Sequence, residues 1–146
     1  MRRVLAFFVC FSGFSAISAN HGAVATVDPL ATDAAIRVMK KGGNAIDAAV
    51  AAGLTLGVVN GYNSGIGGGC FIVARLADGR VITINGRETA PAKAHRDMYL
   101  RAGKADTRLS QQGPLASGVP GALGAYAQLA KAQGKLPPRF HLEPAA

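Results

Sequence analysis

The sequence predicts an α+β fold, in which helices and a β hairpin occupy separate stretches of the chain. Two helical segments follow one another between Asp28 and Val59, two β-rich runs flank an Asp-Gly pair at residues 78–79, and another helix begins near Pro120. Helices and strands that come in runs, without regular alternation, are typical of this class. With 146 residues, the chain is long enough for one domain.

The first helix is predicted from Asp28 to Lys41. An Asp side chain can cap free backbone amides, Pro29 fits a first helical turn, and Gly42 and Gly43 end the segment. Apolar residues recur at helical spacing, so one face should pack against the rest of the protein. That face consists of Leu30, Ala31, Ala34, Ala35 and Val38.

A second helix follows in the run AIDAAVAAGLTLGVV. Asn44 can cap it, and Asp47 stands three residues later in a position resembling a capping box. Small and apolar residues surround this helix on nearly every side, which predicts a central position in the fold. Asp47 is the polar exception, and we expect it to cap the helix rather than to catalyse a reaction.

A glycine-rich loop is predicted over residues 60–69, NGYNSGIGGG. Its five glycines allow positive φ angles and close backbone approach, so the loop can line a site. It does not fit a phosphate cradle, because the Gly-Lys-Ser/Thr ending is absent and Cys70 interrupts the GxGxxG pattern. The glycines could also serve only a tight turn or a packing contact.

A β hairpin is predicted from CFIVARL and RVITING, joined across Asp78 and Gly79. The second strand ends at Arg87, and side chains at strand ends are held in place by a rigid sheet. Beyond the hairpin we expect a short helix over residues 97–101, mostly loop over 103–118, and a helix from Pro120 to about Ala132.

Residues 1–19 have the three regions of a secretory signal peptide. Arg2 and Arg3 precede an apolar stretch over residues 4–17, which ends at the small residues Ser18 and Ala19. The stretch is too short for a membrane span, and a buried helix is the alternative interpretation. We therefore expect residues 20–146 to form a periplasmic or secreted chain with no membrane span after signal removal.

Charge, cysteine and histidine content exclude several kinds of site. The net charge is +8, but the basic residues are scattered and no basic run alternates with aromatic residues, so we expect no nucleic-acid partner.

Cys10 would leave with the signal peptide, and Cys70 then has no intrachain partner. Cys70 is expected to be a buried structural thiol. The three histidines, His21, His95 and His141, are too dispersed to predict a metal site.

The run RETAP over residues 87–91 contains the candidate binding residue. Arg87 follows a strand, and a guanidinium can donate two parallel hydrogen bonds to one carboxylate. The alternative from the residues alone is an ion pair with Glu88 or Asp97, without any ligand.

Four ordered motifs resemble the amino-terminal part of the γ-glutamyltransferases, also called γ-glutamyl transpeptidases or glutathione hydrolases. The resemblance covers about residues 21–146 and implies an N-terminal-nucleophile hydrolase with an αββα sandwich. Such a protein is made as a precursor that cuts itself into two subunits, and this chain would be the start of the large one. The motifs are HGAVATVDPLATDAAIRVMKKGGNAIDAAVAAGLTLGVV, SGIGGG, INGRETAPAKAHRDMYL and GVPGALGAYAQLAKAQGKLP.

The resemblance also implies roles for individual residues. Arg87 would hold the α-carboxylate of the γ-glutamyl group of glutathione or a related compound, and Glu88 would form part of the same pocket wall. The family's nucleophile is a threonine at the new amino terminus of the small subunit, which is the implied partner. No Thr-Thr-His processing site occurs here, so no catalytic residue is assigned and the chain alone is expected to be inactive. No metal or organic cofactor is implied.

Two other functions remain open at this point. A related amidase, such as a cephalosporin or glutaryl acylase, shares the fold and much of this segment, although Arg87 favours a γ-glutamyl donor. A short, non-catalytic exported protein that binds a small acid or a partner chain is the alternative from another class. The chain also departs from the family pattern at Cys70, where glycine is common, and at Pro138-Arg139, which replaces a proline-aromatic pair.

Overall fold

The computed structural model describes residues 22–146, so the predicted signal peptide and Cys10 lie outside the described residues. The predicted α+β class is confirmed. The elements are α1 (Pro29–Lys40), α2 (Ala45–Val59), α3 (Gly61–Ser64), β1 (Cys70–Arg75), β2 (Val81–Gly86), β3 (Leu100–Arg101), β4 (Lys104–Ala105), α4 (Thr107–Gln111), α5 (Ala122–Gln133) and α6 (Arg139–Leu142), with 3₁₀ turns at Pro114–Ala116 and Glu143–Ala145.

Helix α1 forms where the cap and the proline predict it. The Asp28 carboxylate accepts a hydrogen bond from the Leu30 amide at 2.8 Å, and Lys41 follows the last helical residue. The predicted face is wrong at one position, because Leu30 is 57% exposed. The buried face consists of Ala31, Ala34, Ala35 and Val38.

Helix α2 occupies the centre of the fold, as predicted. The capping box is present: the Asn44 side chain accepts from the Asp47 amide at 3.0 Å, and the Asp47 carboxylate accepts from the Asn44 amide at 2.9 Å. One side of α2 packs on α1 through alanines, which permit close approach. The other side contributes Val50 and Leu54 to a core with Leu129 of α5 and the inner face of the hairpin.

The hairpin of β1 and β2 is antiparallel and has the predicted turn, where Gly79 has φ +88°. Alternation of side chains places one face on the helices and the other in solvent. Ile72 and Ile84 are paired on the inner face, whereas Phe71 and Val73 on the outer face are 68% and 75% exposed. The inner face thus anchors the strand end that carries Arg87.

Several predicted boundaries after the hairpin are wrong. Residues 97–101 form a turn and strand β3 rather than a helix, because Ala102 and Gly103 take positive φ angles that reverse the chain into β4. The span 103–118 also contains α4 and a 3₁₀ turn. Helix α5 begins at Ala122 rather than Pro120, because Val119 pairs with Thr89 in an antiparallel bridge.

The glycine-rich loop is only partly as predicted. Its first part forms the short helix α3, and its glycines do not take positive φ angles. Close backbone approach is confirmed, because a Cβ at Gly65 would lie 2.7 Å from the Gly61 carbonyl oxygen. Across residues 22–146, the helices are all too short or too polar to span a bilayer.

Candidate functional site

Three of the sequence motifs meet at the end of β2. Thr89 of RETAP and Val119 of GVPG donate amide hydrogen bonds to each other's carbonyl oxygens, at 3.1 and 2.8 Å. The glycine-rich loop is joined to the same place, because the Gly68 carbonyl accepts hydrogen bonds from the Gly121 and Ala122 amides at 3.1 and 3.2 Å. The first turn of α5, the loop and the strand end are therefore fastened together by backbone contacts.

Glycine is required where these segments touch. A Cβ at Gly69 would lie 2.5 Å from the Glu88 amide nitrogen and 2.6 Å from the Arg87 Cα. A Cβ at Gly118 would lie 3.1 Å from the Glu88 Cγ, and one at Gly121 would overlap the Gly86 carbonyl. Because backbone atoms cannot move aside, larger residues would push the loop and α5 away from Arg87.

Arg87 is held by its backbone while its side chain extends into solvent. Its amide donates to the Asn85 carboxamide oxygen at 3.1 Å, and its side chain is 64% exposed. Within the described residues its guanidinium has one ionic contact, from Nη2 to Glu88 Oε1 at 3.5 Å. An exposed pair at that distance contributes little stability. The alternative partner Asp97 instead contacts Arg96 at 3.0 Å.

Glu88 is more enclosed than Arg87. Its side chain lies in a slot between Gly69 and Gly118, and 38% of it remains exposed. One carboxylate oxygen faces Gly69 and the other faces the guanidinium. The two predicted binding residues therefore stand side by side and present opposite charges to solvent.

Three of the threonines in residues 22–146 have hydroxyl groups that are already hydrogen-bonded. Thr55 is buried and donates to the Ala51 carbonyl at 2.9 Å, and Thr26 and Thr32 share a hydrogen bond of 2.7 Å. Thr89 pairs with Val119 through its backbone. In the same part of the chain, His, Cys, Asp and Glu side chains do not cluster as a metal site would require.

Cys70, which we expected to be a buried structural thiol, is half-buried at the start of β1. Burial raises the pKa of the Cys70 thiol, which disfavours the reactive thiolate. The inert, structural character that we expected is consistent with this direction.

Sequence reasoning missed a second charged centre. Asp47 caps α2, but its carboxylate also contacts His141, with Oδ1 2.8 Å from Nε2, and both side chains are at most 3% exposed. The two residues are 94 positions apart, and no local pattern connects them. The sequence feature that could have indicated this contact is the presence of one carboxylate in an otherwise apolar central helix.

The model of the gamma-glutamyltranspeptidase family matches residues 31–146. Glutathione hydrolase proenzyme of Escherichia coli is 40% identical over 133 residues, which are 90% of this chain and 23% of that protein. The solved structure of Helicobacter pylori gamma-glutamyltranspeptidase is also similar, with 39% sequence identity and a TM-score of 0.83. The similarity covers 87% of this chain and 37% of the Helicobacter pylori chain. Cephalosporin acylase from Bacillus halodurans matches with 30% identity and a TM-score of 0.67, over 91% of this chain and 26% of that one.

The predicted N-terminal-nucleophile hydrolase fold is confirmed by these structures. The chain spans about a fifth of the length of the curated relatives that it matches. It therefore contains one part of the αββα sandwich, namely helices packed on the inner face of one hairpin.

Proposed function

The chain belongs to the γ-glutamyltranspeptidase family, and on that premise we propose that it is the first part of the large subunit of a γ-glutamyltransferase. The whole enzyme would cleave the γ-glutamyl amide of glutathione and related compounds. It would transfer the γ-glutamyl group to water, an amino acid or a dipeptide. The contribution of this chain is the binding of the donor.

The exposed Arg87 guanidinium is the observation that carries this proposal. It stands directly after β2, on a strand end that is fixed by the hairpin core and by the backbone contacts of Gly68 and Val119. A guanidinium with available donors on a rigid support suits a carboxylate, which it can bind through two parallel hydrogen bonds. The α-carboxylate of a γ-glutamyl group has this chemistry.

Glu88 supplies the second half of the recognition. An α-amino acid carries an ammonium group beside its carboxylate, and a guanidinium with a neighbouring carboxylate is complementary to that pair of charges. The glycine slot limits the movement of the Glu88 side chain, so its orientation is largely set before a ligand binds. We assign Glu88 to the pocket wall beside the donor's α-amino group.

The chemical step would use a residue outside this chain. A threonine at the amino terminus of the small subunit would attack the γ-glutamyl carbonyl carbon, with its own α-amino group accepting the hydroxyl proton. The amine takes up that proton and leaves as the amide bond breaks, so the γ-glutamyl group becomes an ester of the threonine. Water or an acceptor amine then attacks the ester and restores the threonine hydroxyl. Backbone amides would stabilise the oxyanion. The name of the E. coli relative, a proenzyme, supports synthesis as a precursor that is later processed.

Residues 1–19 support export of the protein. Their basic start, apolar stretch and small residues have the order of a signal peptide, so we place the enzyme in the periplasm or outside the cell. Residues 20–146 would then start the mature large subunit. No metal or organic cofactor enters the proposed reaction.

An acylase is the second candidate function, and the match to a cephalosporin acylase favours keeping it. A glutaryl group has the same carboxylate as a γ-glutamyl group but lacks the α-amino group. Arg87 therefore serves either donor, whereas the carboxylate of Glu88 favours the donor that carries an ammonium. The two functions differ in what Glu88 contributes.

The test uses the complete two-subunit enzyme and three anilide donors. The γ-glutamyl anilide has both charged groups, the 4-aminobutyryl anilide lacks the carboxylate, and the glutaryl anilide lacks the amine. Arg87→Ala should weaken use of the γ-glutamyl donor by about 2 to 5 kcal/mol in transition-state binding and leave the 4-aminobutyryl donor nearly unchanged. Equal losses with both donors would contradict carboxylate binding by Arg87.

Glu88→Gln separates the two candidate functions in the same assay. For a γ-glutamyltransferase, the variant loses its preference for the γ-glutamyl over the glutaryl donor. For a glutaryl acylase, the wild type already prefers the glutaryl donor and the variant changes little. The 146-residue chain alone should not turn over the γ-glutamyl anilide, and robust turnover would show that its nucleophile lies within this sequence.

A further inference from the structure

Asn85 and Arg87 lie on the same face of the hairpin, two residues apart. Strand β2 pairs with β1 as far as Gly86, which stands opposite Cys70, so Arg87 is the first residue beyond the ladder. The Arg87 amide donates to the carboxamide oxygen of Asn85 at 3.1 Å. A hydrogen bond from an amide to the side-chain oxygen two residues earlier closes an Asx turn. This turn lies at the base of the Arg87 side chain.

Other contacts fix the chain on either side of this turn. On the inner face, Gly86 packs on α5 so closely that an added Cβ would lie 2.5 Å from the Ala125 Cβ. Two residues beyond Arg87, backbone hydrogen bonds join Thr89 to Val119. Neither contact involves the Arg87 amide, which among the described residues is hydrogen-bonded to the Asn85 side chain. The Asx turn is therefore what holds the backbone at Arg87 itself.

Asparagine is an unusual residue for this position in a strand. The other outward positions of β2 carry Val81 and Thr83, which are β-branched and favour strands. Asn is depleted in strands, because its side chain competes for nearby backbone groups. Asn85 also stands opposite Phe71, where an apolar residue would form a better cross-strand pair. The residue type therefore suits the turn at Arg87 rather than the sheet.

The direction of the guanidinium depends on this turn. The Arg87 side chain is 64% exposed, so few packing contacts restrict it, and its path begins from the backbone that Asn85 holds. A ligand that binds one orientation has an apparent affinity lowered by the fraction of molecules that adopt that orientation. Loss of the turn would reduce this fraction, whereas the guanidinium and its charge would remain.

We propose that Asn85 is a positioning residue for donor binding, whose carboxamide oxygen holds the Arg87 backbone so that the guanidinium faces the donor's α-carboxylate. Asn85 acts through Arg87 and does not itself contact the donor. The inference rests on the proposed function of Arg87 and adds to it the residue that orients the guanidinium. The alternative is a polar surface residue without influence on the donor, and enzyme kinetics distinguish the two.

The test uses the complete two-subunit enzyme, with Asn85→Leu and Asn85→Asp as a matched pair. Leu has nearly the shape of Asn but no acceptor, whereas Asp keeps an acceptor oxygen. Asn85→Leu should raise KM for the γ-glutamyl anilide about fivefold, the size expected for one hydrogen bond, with kcat nearly unchanged. The 4-aminobutyryl anilide, which lacks the carboxylate, should be used as well as by the wild type. Asn85→Asp should restore KM at about 0.5 M salt, which screens its added charge.

Two controls separate positioning from folding. Thr83→Ala changes another outward side chain of β2 and should leave KM for the γ-glutamyl anilide unchanged. The unfolding midpoint Tm of Asn85→Leu should not fall, because Leu suits a strand position opposite Phe71 better than Asn does. A rise in KM without a fall in Tm is expected from a positioning residue and not from general damage to the hairpin.

Arg87→Ala is measured in the same series, so that the two proposals can fail separately. If Arg87→Ala weakens only the carboxylate donor while Asn85→Leu changes KM less than about twofold, the role of Asn85 alone is overturned. It is also overturned if Asn85→Asp is as impaired as Asn85→Leu, or if Asn85→Leu loses both donors equally. If Arg87→Ala affects both donors equally, the proposed function fails and the role of Asn85 fails with it. Should Asn85→Leu not assemble, Asn85→Ala removes the same acceptor and takes its place.

Discussion

Asp47 and Arg87 are two charged residues at the ends of secondary-structure elements, and their surroundings are opposite. Asp47 is 0% exposed and accepts hydrogen bonds from four donors. Arg87 is 64% exposed at its side chain, and among the described residues its guanidinium meets only Glu88, at 3.5 Å. The Asp47 carboxylate is therefore fully hydrogen-bonded within the protein, whereas the Arg87 guanidinium remains available to a ligand.

The difference separates a structural charge from a binding charge. A buried charge has to be paired, because an unpaired one loses its hydration without compensation. Consistent with this, every buried side-chain nitrogen and oxygen in residues 22–146 has a hydrogen-bond partner. An exposed guanidinium keeps its hydration, so its N–H donors need no partner within the protein and remain available to a ligand. Rigid backbone contacts around Arg87 fix its position without occupying those donors.

The largest expected effect comes from removing the buried charge. Asp47→Ala would leave the Lys135 and Leu136 amides and the His141 ring without their acceptor. We expect a loss of about 3 to 5 kcal/mol in the free energy of unfolding, measured by urea denaturation with circular dichroism. Asp78→Ala, in the exposed hairpin turn, is the control and should change stability little. Similar losses for both variants would contradict the contrast between buried and exposed charges.

Next in size is the effect of filling the space beside Arg87. The added Cβ in Gly69→Ala would press on the backbone of Arg87 and Glu88, so we expect a destabilisation of about 1 to 3 kcal/mol. Gly67→Ala, in the same loop, has no atom within 4 Å of its added Cβ and serves as the control. Equal unfolding midpoints for the two variants would show that the close packing at Gly69 is unimportant.

The smallest effect concerns pH. Burial alone would raise the pKa of Asp47, but hydrogen bonds from Lys135, Asn44, His141 and Leu136 outweigh it and hold that pKa below its ordinary value of 3.8. Asp47 therefore contributes stability above pH 3.8, and this contribution is lost as the pH falls through the lowered pKa. Stability curves measured down to pH 2 should show an acid-dependent loss in the wild type that is reduced in Asp47→Asn. Identical curves would contradict the depressed pKa.

Caps and turns that depend on residues close together in the sequence were predicted correctly. The Asp28 and Asn44 caps, the Asp47 capping box and the turn at Gly79 all depend on residues within a few positions of one another, and all four are present. The β3–β4 turn was missed because Ala102, a residue that rarely takes a positive φ angle, adopts 51° there. At α5, a tertiary bridge through Val119 delays the start of the helix.

The sequence by itself determined helices α1 and α2, the hairpin, the family resemblance and the choice of Arg87 and Glu88 as binding candidates. Tertiary structure decided which charge is buried and which is available, because burial depends on residues far apart in the chain. Asp47 meets His141 across 94 positions, and Gly69 and Gly118 enclose Glu88 from separate segments. Local patterns specify how a segment folds, but only packing shows which polar groups lose water and must find partners within the protein.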